Sequence, residues 1–147
     1  MEIKSILVPT DFSECSKAAL KYAFHLADRF DAEVIVLHVI DQGLMNDLEE
    51  VSSISNKEIR ENIWMIHERE LKKFLGEGIH QVKYLIAEGI PFQEIIKKAK
   101  ELAVDLIVMG GYGRLGQRDL ERIFFGSTAE KVVRLLPCPV LCVPLRG

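Results

Sequence analysis

The stretch Val104-Asp105-Leu106-Ile107-Val108-Met109-Gly110-Gly111-Tyr112-Gly113-Arg114-Leu115-Gly116, VDLIVMGGYGRLG, runs from an apolar segment straight into glycines. Asp105 to Met109 has the length of a buried strand, and the glycines at its carboxyl end read as a turn. The residues after Asp105 are apolar at every position rather than at alternate ones. That predicts a strand covered by helices on both faces.

Upstream, Gly89-Ile90-Pro91 starts a helix with proline in its first turn, continued by Phe92, Ile95, Ile96, Ala99 and Leu102. Val82 to Ala87 before it is a strand. Ser55-Asn56-Lys57-Glu58 is a capping-box pattern that opens a helix with Ile59, Ile63, Ile66, Phe74 and Leu75 near one face. The segment before it, Asp41 to Ile54, is less periodic and is expected to be a mobile loop. Val34 to Ile40 is another doubly apolar strand. Ile3 to Val8 is the first strand, closed by Pro9-Thr10-Asp11, and Ser13 caps a helix carrying Leu20, Ala23, Phe24 and Ala27. Downstream, Ala129, Val132, Val133 and Leu136 mark a last helix, and Pro137-Cys138-Pro139 introduces the strand Val140 to Val143.

The order is strand then helix four times, then a strand. Strands separated by helices are parallel, and their crossovers are right-handed. The expectation is a single α/β domain over residues 1–147, a doubly wound five-stranded parallel sheet. Ligands of such sheets bind at the carboxyl ends of strands, where the winding reverses.

Composition excludes several classes. A net charge of -3 over 147 residues lacks the basic face of a nucleic-acid binder. No apolar run reaches membrane-span length, and the N-terminus has no signal-peptide core, so a cytoplasmic protein is expected. Cys138 and Cys142, four apart in one strand, lie about 13 Å from each other, too far for a disulfide. Cys15 reads as a small packing residue. His25, His38, His67 and His80 have no metal-ligand spacing and read as packed or surface residues.

Gly111-x-Gly113-x-x-Gly116 matches the dinucleotide fingerprint but not its context. An acidic residue about 20 positions on, at the end of a second strand, is missing. No Gly-Lys-Ser or Gly-Lys-Thr follows, so a Walker loop is excluded. Gly126-Ser127-Thr128 opens a helix, whose unpaired N–H groups and dipole favour an anion.

In this order, ILVPTDFSE at residues 6–14, VLHVID at 36–41, EGIP at 88–91, VDLIVMGGYGR at 104–114, GSTAEKVV at 126–133 and PCPVLCV at 137–143 resemble the universal stress protein family over nearly the whole chain. The resemblance implies strand order 3-2-1-4-5. Its nucleotide-binding branch has a glycine, two residues, a glycine, nine residues, then Gly-Ser or Gly-Thr. Anchored on the strand end Met109-Gly110, the glycines are Gly110 and Gly113, with Gln117-Arg118-Asp119 as an insertion. Read literally, the spacing fits Gly113, Gly116, Gly126 and Ser127. The strand-anchored register is preferred, because Leu106 to Met109 sets where the chain leaves the sheet.

Carried across by position, Pro9, Thr10 and Asp11 would line the adenosine, with Asp11 near the ribose, and Val39 would meet the adenine. Gly110, Gly113, Gly126, Ser127 and Thr128 would cradle the phosphates. Met109, Arg114 and Gly116 complete the expected site. The implied ligand is ATP, ADP or AMP, with magnesium or manganese as an accompanying cation. Two rival readings stay open: slow ATP hydrolysis in the same site, and a nucleotide-free dimeric scaffold. The resemblance also implies a homodimer through the C-terminal strand, residues 139–145, although the prolines there could equally protect that edge.

Overall fold

The computed structural model describes residues 1–52, 54–112 and 125–145. In chain order its elements are β1 (Ser5–Thr10), α1 (Glu14–Phe30), β2 (Glu33–Asp41), α2 (Gln42–Val51) and α3 (Asn56–Leu75). A 3-10 helix (Gly76–Gln81) leads to β3 (Val82–Gly89), α4 (Pro91–Glu101), β4 (Leu106–Gly110), α5 (Ser127–Leu135) and β5 (Val140–Val143). The five strands form one parallel sheet in the order β3-β2-β1-β4-β5. The winding therefore reverses between β1 and β4, as the resemblance implied.

Alternation along each strand explains the uninterrupted apolar runs. Ile6 and Val8 of β1, Val34 and Val36 of β2 and Val108 of β4 face one layer, where Ala19, Leu20 and Ala23 of α1 and Leu71 and Leu75 of α3 meet them. Leu7, Ile35, Leu37, Ile107 and Met109 face the other layer, against Ile95 and Ala99 of α4 and Ala129 and Val132 of α5. Burying each such aliphatic side chain contributes about 1.5–3 kcal/mol. One strand thus supplies both cores, which fixes its register to its neighbours.

The helices start where their caps lie. Ser13 Oγ accepts from Ser16 N, Ser55 Oγ accepts from Glu58 N, and Pro91 occupies the first turn of α4. Burial pushes the thiols of Cys138 and Cys142 above their usual range. Cys15 is buried, its Sγ donating to the Val143 carbonyl at 3.1 Å, and none of the three cysteines is in a disulfide. No helix among the described residues is long and apolar enough to cross a membrane.

Three local expectations are corrected. The segment expected to be a mobile loop contains α2. Asp41 caps it by accepting from Gly43 N at 2.8 Å, and the fully buried Met45 joins Ile40, Ile59 and Ile63 in a separate small core. One buried side chain in ten residues leaves no periodic stripe to read. β1 continues through Pro9 and Thr10, which pair with Leu37 and His38. Proline is tolerated there because β1 pairs with β4 only at Ile6 and Leu7, so Pro9 already lies on an open edge. Ile66 of α3 is exposed. The buried face instead repeats every fourth residue, Ile59, Ile63, Leu71 and Leu75, with the partly buried His67 at the missing step.

Candidate functional site

Beyond Leu7 and Ile107, β1 and β4 part, and the chain leaves them on opposite faces of the sheet, through α1 and α5. A cavity of about 440 Å³ opens where they separate, within the roughly 300–1,000 Å³ usual for small-ligand clefts. Pro9, Thr10 and Asp11 line it from the end of β1, and Leu37 and Val39 from β2. Met109 and Gly110 line it from β4, and Gly126, Ser127 and Thr128 from the start of α5. Gly113, Arg114 and Gly116 lie outside the described residues, as does the expected insertion Gln117–Asp119.

The turn after β1 is held from several sides. Ser13 N donates to Asp11 Oδ1 at 3.0 Å, and Phe12 N donates to Thr10 Oγ1 at 3.0 Å. Thr10 Oγ1 also lies 2.9 Å from Ser16 Oγ. Phe12 adopts φ 68°, a left-handed conformation unfavourable for a bulky residue. Its ring stacks on buried His38 with centroids 4.2 Å apart, which helps hold it there. The second Asp11 oxygen has no protein partner among the described residues, and the residue is exposed at the cavity.

His38 ties this turn to α3. Its Nδ1 lies 2.9 Å from the Thr10 carbonyl, which can only accept, so Nδ1 carries a hydrogen. In the neutral ring Nε2 is then an acceptor, and it faces His67 Nδ1 at 2.8 Å. The two rings are nearly coplanar, 19° apart, and meet edge to edge through this contact, with centroids 5.1 Å apart. The pair buttresses the cavity from behind the sheet.

At the other end of the cavity, Gly126 N donates to the Gly111 carbonyl at 2.7 Å, so the excursion between them starts and finishes at neighbouring points. Gly126 is the N-cap residue of α5 and supplies no side-chain hydrogen bond. Among the described residues no side chain caps the first N–H groups of α5, which lie at the cavity wall with the helix dipole behind them.

β2 outruns β1. Thr10 is opposite His38, whereas Val39, Ile40 and Asp41 continue beside Ala87, Glu88 and Gly89 of β3. On the side β1 has vacated, the last residues of β2 have no strand partner among the described residues, and Val39 and Asp41 line the cavity. Pro91 and Ile95 of α4 add apolar surface at this end. The cavity is thus apolar near β2, with the helix N-terminus at its α5 end. Asp11 lies between.

The Universal stress protein family matches residues 2–144. The chain belongs to the universal stress protein family. This universal stress protein is 37% identical over 146 residues to universal stress protein MJ0531 of Methanocaldococcus jannaschii, covering 95% of this chain and 81% of that protein. It is 35% identical over 156 residues to universal stress protein MJ0577 of the same archaeon, covering 95% and 94%. The solved structure of MJ0577 superimposes with a TM-score of 0.82 at 33% identity, over 100% of this chain and 99% of that one. Universal stress protein UspA from Lactobacillus plantarum gives 0.70 at 27% identity, over 97% and 99%.

Sequence reasoning missed several cavity residues of this universal stress protein. Asp41, Ser16, Tyr112, Pro91 and Ile95 border the space but were not singled out as site residues, although Asp41, Pro91 and Tyr112 lie inside motifs quoted above. The signal for Asp41 was its place at the end of an apolar strand, where side chains face a ligand in this fold class. Among the described residues, no group of three or more His, Cys, Asp or Glu side chains could hold a metal. A cation here would depend on ligand oxygens, with the Asp11 carboxylate and the Ser127 and Thr128 hydroxyls as the nearby protein donors.

Proposed function

We propose that this universal stress protein binds an adenine nucleotide, ATP, ADP or AMP, in the cavity between β1 and β4, and that occupancy biases its interactions. The observation that carries the reading is the contrast along one cavity. The apolar end of the cavity, beside the end of β2, suits a base, and a helix N-terminus suits phosphates. In this reading Val39 meets the adenine, Asp11 accepts from ribose hydroxyls, and Gly110, Gly126, Ser127 and Thr128 surround the phosphates, with Met109 beside them. Gly113, Arg114 and Gly116 would lie over the same end.

A universal stress protein 21% identical to this chain has been solved in complex with cAMP, and one from Archaeoglobus fulgidus, 20% identical, with dAMP. At that distance the likeness is one of fold, and the reading rests on this chain's own cavity. We place the protein in the cytosol, where its unlinked cysteines suit a reducing compartment. It would pair with a second copy through β5, an edge strand with Leu141 exposed.

Thermal unfolding with ATP, AMP, GTP and NADH, each with and without magnesium, tests this. A ligand at 100 times its dissociation constant adds about 2.7 kcal/mol of stability. ATP or AMP should raise the midpoint; no shift with any adenine nucleotide at millimolar concentration would remove the reading.

A further inference from the structure

We infer that Asp41 is the residue by which this site distinguishes adenine from guanine. The inference rests on the nucleotide reading above and concerns what it leaves open, the choice of base. Asp41 is the last residue of β2, beyond the end of β1, and it lines the cavity at the apolar end together with Val39 and Pro91.

Its two oxygens have different tasks. Oδ1 accepts from Gly43 N at 2.8 Å and caps α2. That bond restricts the side chain's rotation. A Cβ on Gly43 would lie 3.1 Å from Oδ1, so the glycine leaves room for the cap. The helix so begun is anchored by the fully buried Met45 and by Arg60. Arg60 Nε lies 2.9 Å from Glu49 Oε1, an ion pair by distance rather than an aligned hydrogen bond, and Arg60 Nη1 bonds Glu88 Oε1. The second oxygen of Asp41 has no partner among the described residues.

A carboxylate oxygen can only accept. Adenine presents an amino group, a donor, where guanine presents a carbonyl oxygen, an acceptor. With the base in the slot between Val39 and Pro91 and its amino-bearing edge towards the end of β2, adenine gains a hydrogen bond to a charged acceptor. Guanine sets oxygen against oxygen at this exposed carboxylate. Selection thus comes from a repulsive as well as an attractive element. Glu88, on the neighbouring strand, is already engaged by Arg60 and by Trp64 Nε1 at 3.5 Å, which leaves Asp41 as the carboxylate lining this end.

The test uses the full chain and isothermal titration with ATP, GTP and ITP. The base of ITP differs from adenine only at this carbonyl and the adjacent ring nitrogen. In Asp41→Asn the side-chain oxygen still accepts from Gly43 N, since asparagine caps as well as aspartate. The amide NH2 must then occupy the place of the second oxygen, turning an acceptor into a donor. The preference for ATP over ITP and GTP should fall by about ten- to a hundredfold, the weight of a hydrogen bond to a charged group, with ITP gaining in absolute affinity. Asp41→Ser keeps a short cap but reaches less far, so it should lose the preference without that gain. Unfolding of ligand-free variants checks that α2 stays formed. If both variants bind ATP and ITP in the wild-type ratio, Asp41 does not select the base, and nucleotide binding stands. If the wild type binds none of the three, the site reading fails and this inference with it.

Discussion

An ideal Cβ placed on Gly110 would lie 3.0 Å from the carbonyl carbon and from Sγ of Cys15, and 3.1 Å from Ser16 N. The glycine thus spares β4 a tight contact with the first turn of α1, before any ligand is considered. Backbone atoms cannot swing aside, so Gly110→Ala should destabilise the ligand-free protein by about 1–3 kcal/mol; urea unfolding without nucleotide measures it, and an unchanged midpoint would refute the packing argument. The position of this glycine was legible in the sequence, but the reason for it was not. Close approach between β4 and α1 joins residues about a hundred positions apart. Asp11 is similar. One oxygen makes the turn, as a simple structural reading would have it, and the other is left for the cavity. His38 and His67 were read separately as packed or surface residues. Their hydrogen bond follows from β2 lying beneath α3, which no local pattern states.

Elements are joined here by polar contacts at their ends as much as by the cores between them. Asp105, just before β4, accepts from Lys4 N at 2.8 Å and Ser5 N at 3.1 Å, and its own N–H donates to the Ser5 carbonyl. These backbone hydrogen bonds favour the ionised form and hold the Asp105 carboxyl below the usual carboxylate range. A depressed folded-state pKa means a stabilisation that is present above the unfolded value, near 4, and lost as pH falls through the folded one. The stability difference between wild type and Asp105→Asn should therefore be largest near neutral pH and shrink below about pH 4, as read from denaturant unfolding at a series of pH values. A difference that stays constant down to pH 2.5 would show that the charge contributes nothing. α2 makes the complementary point: its cap and its one buried methionine suffice once α3 and β3 are in place, yet they leave too little pattern to announce a helix.

At the scale of the molecule, one sheet with a single reversal creates the cavity, because parallel strands that diverge towards opposite faces leave a gap no side chain of either core fills. The same sheet has β5 at one edge, with Leu141 38% exposed and Leu135 and Leu136 exposed nearby. If a second copy covers that edge, Leu141→Lys should convert a dimer to a monomer in sedimentation equilibrium, since a charged edge residue opposes pairing; a wild type that is monomeric at tens of micromolar would dispose of the proposal. Fold class, the five strands, four helix starts and the strand-end glycines were determined by the sequence alone, because apolar period, caps and turn residues act over a few positions. The resemblance supplied the strand order. Only the tertiary structure decided that β2 outruns β1, that Asp41 borders the cavity while capping α2, and that His67 sits behind Thr10 through His38. Those facts depend on register between distant strands and on which helix covers which face, and no short window of residues encodes either.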